Sequence, residues 1–481
     1  MAQDKKQTDV LVVGWTLAGA VAATALAQAG REVLVVDSAD DTHYELGDSS
    51  LPIRLAEPRV PAGAAVRHVL RQLGLEASLS DRGDTWYRDT TPQPDAVPTF
   101  QVDLPEGRLD LGISTERDRR ELLRELPGAT GFLETLDGVG GEMEDWLRDW
   151  TLRDPEGSGR DDAPEQRWAA WTRALRRHCD PGDVRDRLLA ASTAVLPLRP
   201  DSVNLGCAAR LWWRLLRGAA PGVDELLRAL RLRFTDGGGR WLTPAADYRI
   251  QTRWGRPQEL STRELEVRFE TLLWALPLTQ LVERADARWL TFGLRKQVTA
   301  SPPVEAHRLV LNLAIRQEGI PDAMGRCLFL SDAEPAFRRP TLWIRCERPS
   351  EERSPVLLTV QSTAQIRAPR EGLVAHRDRI LDRLRSLLPF LDEHLLWHHS
   401  PNLREPPGGA HPPVTGTLIP APREALHALP ESHRGFTLCP LKPGPRGLIA
   451  ASRETYPGLG AEGELLAGWQ AAALAHAAPA G

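Results

Sequence analysis

Residues 9–40, DVLVVGWTLAGAVAATALAQAGREVLVVDSAD, constrain the fold more than any other stretch of the chain. Four apolar residues, Val10–Val13, run into Gly14; an alanine-rich segment continues to about Ala29; a second apolar run, Val33–Val36, ends at Asp37. Short continuous apolar runs bounded by turn residues are the pattern of strands buried on both faces of a parallel sheet. Gly30 falls where a helix C-terminus favours a residue free to turn left-handed. The expectation is strand, glycine turn, helix, strand: the opening of a parallel βαβ fold. The same stretch has the outline of an export signal, with Lys5 and Lys6, an apolar run and Ala27-Gln28-Ala29. Asp9 interrupts its approach, Gly14-Trp15-Thr16 falls inside the run, and an acid-ended strand follows, so the βαβ reading is preferred.

Such a unit cradles a dinucleotide. Gly14 makes the tight turn off the strand, the helix N-terminus presents free N–H groups to a diphosphate, and Gly19 lets helix and strand pack closely. Asp37 lies 23 residues after Gly14, where a carboxylate accepts hydrogen bonds from ribose hydroxyls. The motif reads Gly14-Trp15-Thr16-Leu17-Ala18-Gly19, with Thr16 in place of the glycine that lets backbone approach phosphate.

At 481 residues two intertwined domains are expected. A net charge of −5 gives no footprint for nucleic acid. Five scattered cysteines, never in a CxxC pair, argue against a zinc site or disulfide framework and fit a reducing cytoplasm. Further helices are expected near Ala64–Leu75, Glu116–Glu125 (capped by Ser114) and on to Trp150, then Glu165–Arg177 and Asp183–Ala194, with residues 154–166 a surface loop. The segment 222–283 reads as helix, glycine turn (DGGGR, 236–240) and several strands ending in TLLWALP. HRLVLNLAIRQEGIP, TLWIRCERP and VLLTVQST read as strands of a mixed sheet, and Gly372–Pro389 as an amphipathic helix. RGLIAASRETYPGLGAEGELLAGWQAAALAHA reads as a strand, a glycine turn and a helix from about Glu464.

Three of these blocks, in this order, resemble the FAD-dependent amine oxidase and phytoene desaturase-like oxidoreductase superfamily over essentially the whole chain. They are the N-terminal βαβ unit, GVDELLRALRLRFTDGGGRWL…YRI…ETLLWALPLTQLVE, and SRETYPGLGAEGELLAGWQAAAL. The resemblance implies an α/β fold: a Rossmann-like FAD-binding domain of glutathione reductase-like type, with an inserted mixed-sheet α+β substrate domain. The FAD-binding domain would take residues 1–105, 221–300 and 431–481, and the substrate domain 106–220 and 301–430. FAD is the implied cofactor. Gly14, Thr16, Gly19 and Asp37 would meet its diphosphate and ribose, and the backbone at Tyr248 its adenine. Glu454, Gly458, Gly460, Glu462 and Gly463 would stand at its flavin end.

The chain departs from the family twice, at Thr16 and in lacking the Gly-Gly-Arg that usually follows the ribose acid; DSADDTHYELGDSSLPIRL has no such triplet. Two functions therefore stay open. One is a FAD-dependent desaturase, reductase or isomerase acting by hydride transfer on an apolar, isoprenoid- or lipid-like molecule, for which no catalytic side chain is named. The other is a flavin-poor binding or partner protein on the same scaffold. A flavin monooxygenase or halogenase, suggested by HYELGDSSLP and LLWALP, is disfavoured because no lysine occurs between Lys6 and Lys296.

CAARLWWRLLRGAA (207–220) reads as an amphipathic helix lining the substrate domain, with peripheral membrane contact through Trp212 and Trp213 as the alternative. His394 and His398 have the spacing of two ligands on one helical face, but no third ligand stands nearby and no metal is expected. The sequence leaves the oligomeric state open.

Overall fold

The computed structural model describes residues 4–36, 43–47, 49–53, 55, 63–75, 100–104, 107–111, 115–152, 164–178, 196, 198, 203–215, 223–242, 248–286, 306–330, 341–349, 354–365, 371–403, 405–412 and 437–477. Asp37, the Ser114 cap, the 154–163 stretch and the Asp183–Ala194 helix lie outside them. The chain opens with β1 (Asp4–Val13), α1 (Leu17–Gln28) and β2 (Val33–Val36), then the hairpin β3 (His43–Leu46) and β4 (Ser49–Pro52), and α2 (Ala64–Gln72). β5 (Phe100–Leu104) and β6 (Gly107–Leu111) lead into α3 (Thr115–Glu125), α4 (Thr130–Leu152), α5 (Pro164–Arg176), α6 (Leu205–Leu215) and α7 (Val223–Asp236). β7 (Arg240–Leu242), β8 (Arg249–Arg253), β9 (Arg256–Ser261) and β10 (Leu265–Trp274) precede α8 (Leu278–Arg284). β11 (Ala306–Ile315), β12 (Cys327–Leu330), β13 (Leu342–Glu347) and β14 (Val356–Gln365) are followed by α9 (Glu371–Leu387) and α10 (Leu391–His394). The last elements are β15 (Leu395–His399), β16 (Leu448–Ala450) and α11 (Gly460–Ala477).

The first sheet runs β7-β2-β1-β10, all parallel, with β16 parallel to the far end of β10 and the antiparallel pair β9-β8 along its near half. In register, Val13 stands beside both Val36 and Trp274, and Trp274 beside Ala450. Leu242 of β7 stands beside Val36 in turn, so five parallel strands end together on one edge, where ligands of open α/β sheets bind. α1 is buried nearly all round because it lies between the sheet and the helices α7 and α11. Its alanines permit that proximity: a Cβ on Gly468 of α11 would stand 2.3 Å from the Ala18 carbonyl oxygen. The export outline is thus a central strand and a buried helix. Gly237–Gly239 close the end of α7, with Gly239 N–H donating to the Phe234 carbonyl, so DGGGR is a tight turn.

The second sheet runs β15-β11-β14-β13-β12-β5-β6, antiparallel except between β12 and β5. Leu309, Leu311, Leu313 and Ile315 face Leu373, Ile380 and Leu384 of α9, while Arg308, Asn312 and Ala314, the alternate residues of β11, face the other way. β5 and β6 both lie in this sheet, so the chain enters it by Phe100 rather than after residue 105. Gln101 fixes the crossing, its amide bonding the Ala323 carbonyl and the Gly325 N–H beside β12.

The helical layer centres on Trp146, Trp168, Trp171, Trp212 and Trp213. Trp212 is 3% and Trp213 7% exposed, so α6 presents neither indole to a membrane. His394 ends α10 and His398 lies in β15, so the two do not share a helical face. Among the described residues no helix is long and apolar enough to cross a membrane, and no group of three or more His, Cys, Asp or Glu side chains could hold a metal.

Candidate dinucleotide site

At the carboxyl edge of the first sheet the strand ends are tied together. Gly14 N–H donates to the Val36 carbonyl, Ala275 N–H to Val13 and Ala451 N–H to Trp274, each at 2.9 Å. Gly14 turns the chain at φ +99°, left-handed backbone that favours glycine. A Cβ on Gly19 would lie 2.1 Å from the Gly14 carbonyl oxygen and 2.9 Å from the Ala275 methyl, so α1 could not keep its approach to the strand with any other residue there. Turn and close packing are the two geometric demands of a dinucleotide cradle, and both glycines meet them.

The phosphate seat differs. Thr16 is the N-cap of α1; its hydroxyl accepts the Gly19 N–H at 3.2 Å and donates to the Ala275 carbonyl at 3.3 Å. Leu17, the first residue of the helix, donates its N–H to Glu464 Oε1 at 3.0 Å. The positive end of α1, where a diphosphate would sit, is thus occupied by a threonine hydroxyl and a carboxylate from α11. The other oxygen of Glu464 is 3.8 Å from Arg453 Nε. As folded, this seat does not accept a diphosphate unless Glu464 is displaced.

The C-terminal segment places its other carboxylates elsewhere. Glu454 accepts the Leu278 N–H at 2.8 Å and caps α8. Glu462, fully buried, accepts Arg210 Nη2 at 2.8 Å and Nε at 3.2 Å, and Arg214 Nη1 at 2.7 Å. Arg210 Nη2 also lies 2.6 Å from Glu144, whose other oxygen caps the N-terminus of α2 at Ala64. Burial alone would raise the Glu462 carboxyl, but the two guanidinium groups hold it below its ordinary range. α11 begins at Gly460, four residues before the expected Glu464: Gly460 at φ +59° ends the turn Pro457–Leu459 and starts the helix. Gly458 lies buried in that turn, and a Cβ on Gly463 would meet the Tyr456 carbonyl oxygen at 2.3 Å. Tyr248 is buried on the sheet face opposite α1, with Arg284 over its ring at 4.2 Å.

Gly14, Thr16 and Gly19 therefore come together with Glu464, while Glu462 sits among the helices. Sequence reasoning missed Glu464. A usable signal was present: α11 is apolar and buried on all sides apart from two acids near its start, and buried acids must find partners in other elements.

A second polar cluster lies where the β3–β4 hairpin meets β11. Tyr44 Oη is 2.8 Å from His399 Nδ1 and accepts from Asn312 Nδ2 at 3.2 Å. Thr359 donates to Asn312 Oδ1 at 2.8 Å. Burial raises the Tyr44 phenol and lowers the His399 imidazole to about 4, so both are neutral near pH 7. His399 Nε2 and, on β13, Trp343 Nε1 are buried without a hydrogen-bond partner among the described residues. Neither residue stood out in the sequence: Trp343 lies in a strand that reads as ordinary core, and His399 follows two histidines at helical spacing, in a segment that only pairing with β11 makes a strand.

No family model and no curated protein matches the chain. Solved structures do. An oxidoreductase from Methanosarcina mazei shares 15% identity, with 94% of this chain and 98% of that one covered and a TM-score of 0.55. Cyclohexylamine oxidase from Brevibacterium oxydans shares 16%, covering 97% and 98%, with a TM-score of 0.53. Putrescine oxidase bound to putrescine shares 15%, covering 98% and 100%, with a TM-score of 0.50. At this identity the likeness establishes the fold alone: the chain has the α/β fold, with a Rossmann-like parallel sheet, of these solved oxidoreductases.

Proposed function

We propose that the chain is a FAD-dependent oxidoreductase acting on an apolar small molecule. The observation that carries this reading is the convergence of five parallel strand ends and the Gly14–Gly19 turn on the N-terminus of α1, within a fold shared along the chain with solved oxidoreductases. Gly14, Thr16 and Gly19 would stand at the diphosphate, Asp37 at the ribose and the backbone of Tyr248 at the adenine. The turn around Gly458 and Gly460, with Gly463 packed against Tyr456, would shape the flavin end, and Glu454 and Glu462 would hold that segment in place through Leu278 and through Arg210 and Arg214. Bound flavin would supply hydride transfer; the chain supplies orientation and exclusion of water. An apolar substrate would be met from the face of the second sheet turned away from α9, where Phe329 is stacked on Trp343 at 5.5 Å in the core and Asn312, Tyr44 and His399 form a buried polar cluster. Any contact with a membrane surface would be peripheral and made by elements other than α6.

The test is the absorbance spectrum of the purified protein with and without added FAD, followed by denaturation to release and identify the chromophore. A stoichiometric flavin band once FAD is added in excess is the expected result. A colourless protein that ignores FAD would leave the second reading, a binding or partner protein on the same scaffold, which the carboxylate of Glu464 at the phosphate seat favours.

A further inference from the structure

We infer that Glu464 is an internal anion that competes with the cofactor diphosphate for the N-terminus of α1, so that FAD binds only as this carboxylate leaves; the inference rests on the flavin reading above. Leu17 has one N–H, and Glu464 Oε1 holds it at 3.0 Å. A phosphate oxygen using that donor would displace the carboxylate, and two anions side by side in a buried pocket repel. The neighbouring acids are engaged elsewhere, Glu462 with Arg210 and Arg214 and Glu454 with the Leu278 N–H, so Glu464 is the carboxylate that meets α1.

The displaced side chain has a destination. Its second oxygen already lies 3.8 Å from Arg453, whose side chain is 19% exposed, so a rotation toward Arg453 keeps the charge paired while it vacates Leu17. Thr16 adds to the selectivity of the seat. Its hydroxyl takes the Gly19 N–H, so the first turn of α1 is capped twice by the chain itself.

The experiment is a FAD titration, followed by flavin fluorescence and equilibrium dialysis, of the wild-type chain, Glu464→Gln and Glu464→Ala. Circular dichroism checks that each is folded. Gln keeps the volume and an acceptor while removing the charge, so it carries the test if the Ala variant fails to fold. Both variants are expected to bind FAD about a hundredfold more tightly than wild type, the fold-change equivalent to one charged hydrogen bond of about 2.7 kcal/mol. Wild type binding FAD as tightly as the variants would overturn the inference and leave the flavin reading standing. Folded variants that bind no better than a wild type that does not bind at all would overturn both.

Discussion

Replacing Glu462 with glutamine should be among the most damaging single changes in the chain. The carboxylate and both arginine side chains are almost wholly out of water, at 0%, 0% and 3% exposure, and Glu144 completes the group at 12%. Two positive and two negative charges balance. Glu462→Gln leaves a net positive charge there and takes the charged acceptor from three short bonds, at 2.7, 2.8 and 3.2 Å. Breaking a buried ion pair by removing one partner costs about 3–5 kcal/mol, a large part of the ~5–15 kcal/mol by which domains are stable. Urea unfolding at pH 7 measures it as a lowered midpoint. Acid adds a sign. The folded-state value of Glu462 lies below its ordinary 4.5, so its contribution is complete above about pH 4.5 and is lost as pH falls through the lower folded value. The wild type should therefore lose stability over that window more steeply than Glu462→Gln. A cost below about 1 kcal/mol at pH 7, with parallel acid profiles, would refute the view that this quartet is tightly paired.

Gly19→Ala should destabilise the chain by about 1–3 kcal/mol, the usual cost of overpacking, and weaken FAD binding, because its Cβ would stand 2.1 Å from the Gly14 carbonyl oxygen; thermal unfolding and a FAD titration check the two effects. His376, bonded to Ser362 at 3.0 Å, and His399 are each lowered to about 4, by burial first. Their neutral forms are favoured by folding, so stability is full above about pH 6.5 and declines as pH falls toward 4. Imidazole proton resonances titrating near 6.5 in the folded chain would contradict the burial assigned to them.

Much of the fold was legible because its signals are local. Val10–Val13, Gly14 and Val33–Val36 announce a parallel unit whose strands are buried on both faces, and β2 has the expected bounds. The helix at Val223–Asp236 and the strand at Leu448–Ala450 followed from periodicity and glycine punctuation in the same way. What failed depends on partners far away in the chain. β5 joins the second sheet through Gln101 and residues some 220 positions later, and nothing within FQVDL selects which sheet it completes. His394 and His398 have helical spacing, but β11 recruits Leu395–His399 as a strand, and tertiary pairing overrides local periodicity. The site was half legible for the same reason. Gly14 and Gly19 act on their own turn, whereas Glu464 acts on Leu17, 447 residues away.

That long-range contact has a consequence for the unliganded chain. A dinucleotide fold ordinarily leaves the first N–H groups of its leading helix waiting for a phosphate, and those buried donors are costly until the ligand arrives. Here Glu464 and Thr16 satisfy Leu17 and Gly19 from within, so two of the leading N–H groups of α1 have partners before any cofactor binds. The same carboxylate that hinders FAD should therefore stabilise the chain without it. Glu464→Gln weakens a charged hydrogen bond at the positive end of a helix, and the unliganded protein should lose about 1–3 kcal/mol. Saturating FAD should return that loss, since a ligand bound at a hundred times its dissociation constant adds about 2.7 kcal/mol. Melting curves of wild type and Glu464→Gln, each with and without FAD, make the comparison. The expected pattern is a wild type that FAD moves little and a variant that starts lower and rises more. A variant that is as stable as wild type without ligand would show that Glu464 does not complete α1, and the opposition between folding and cofactor binding at this helix end would have no basis.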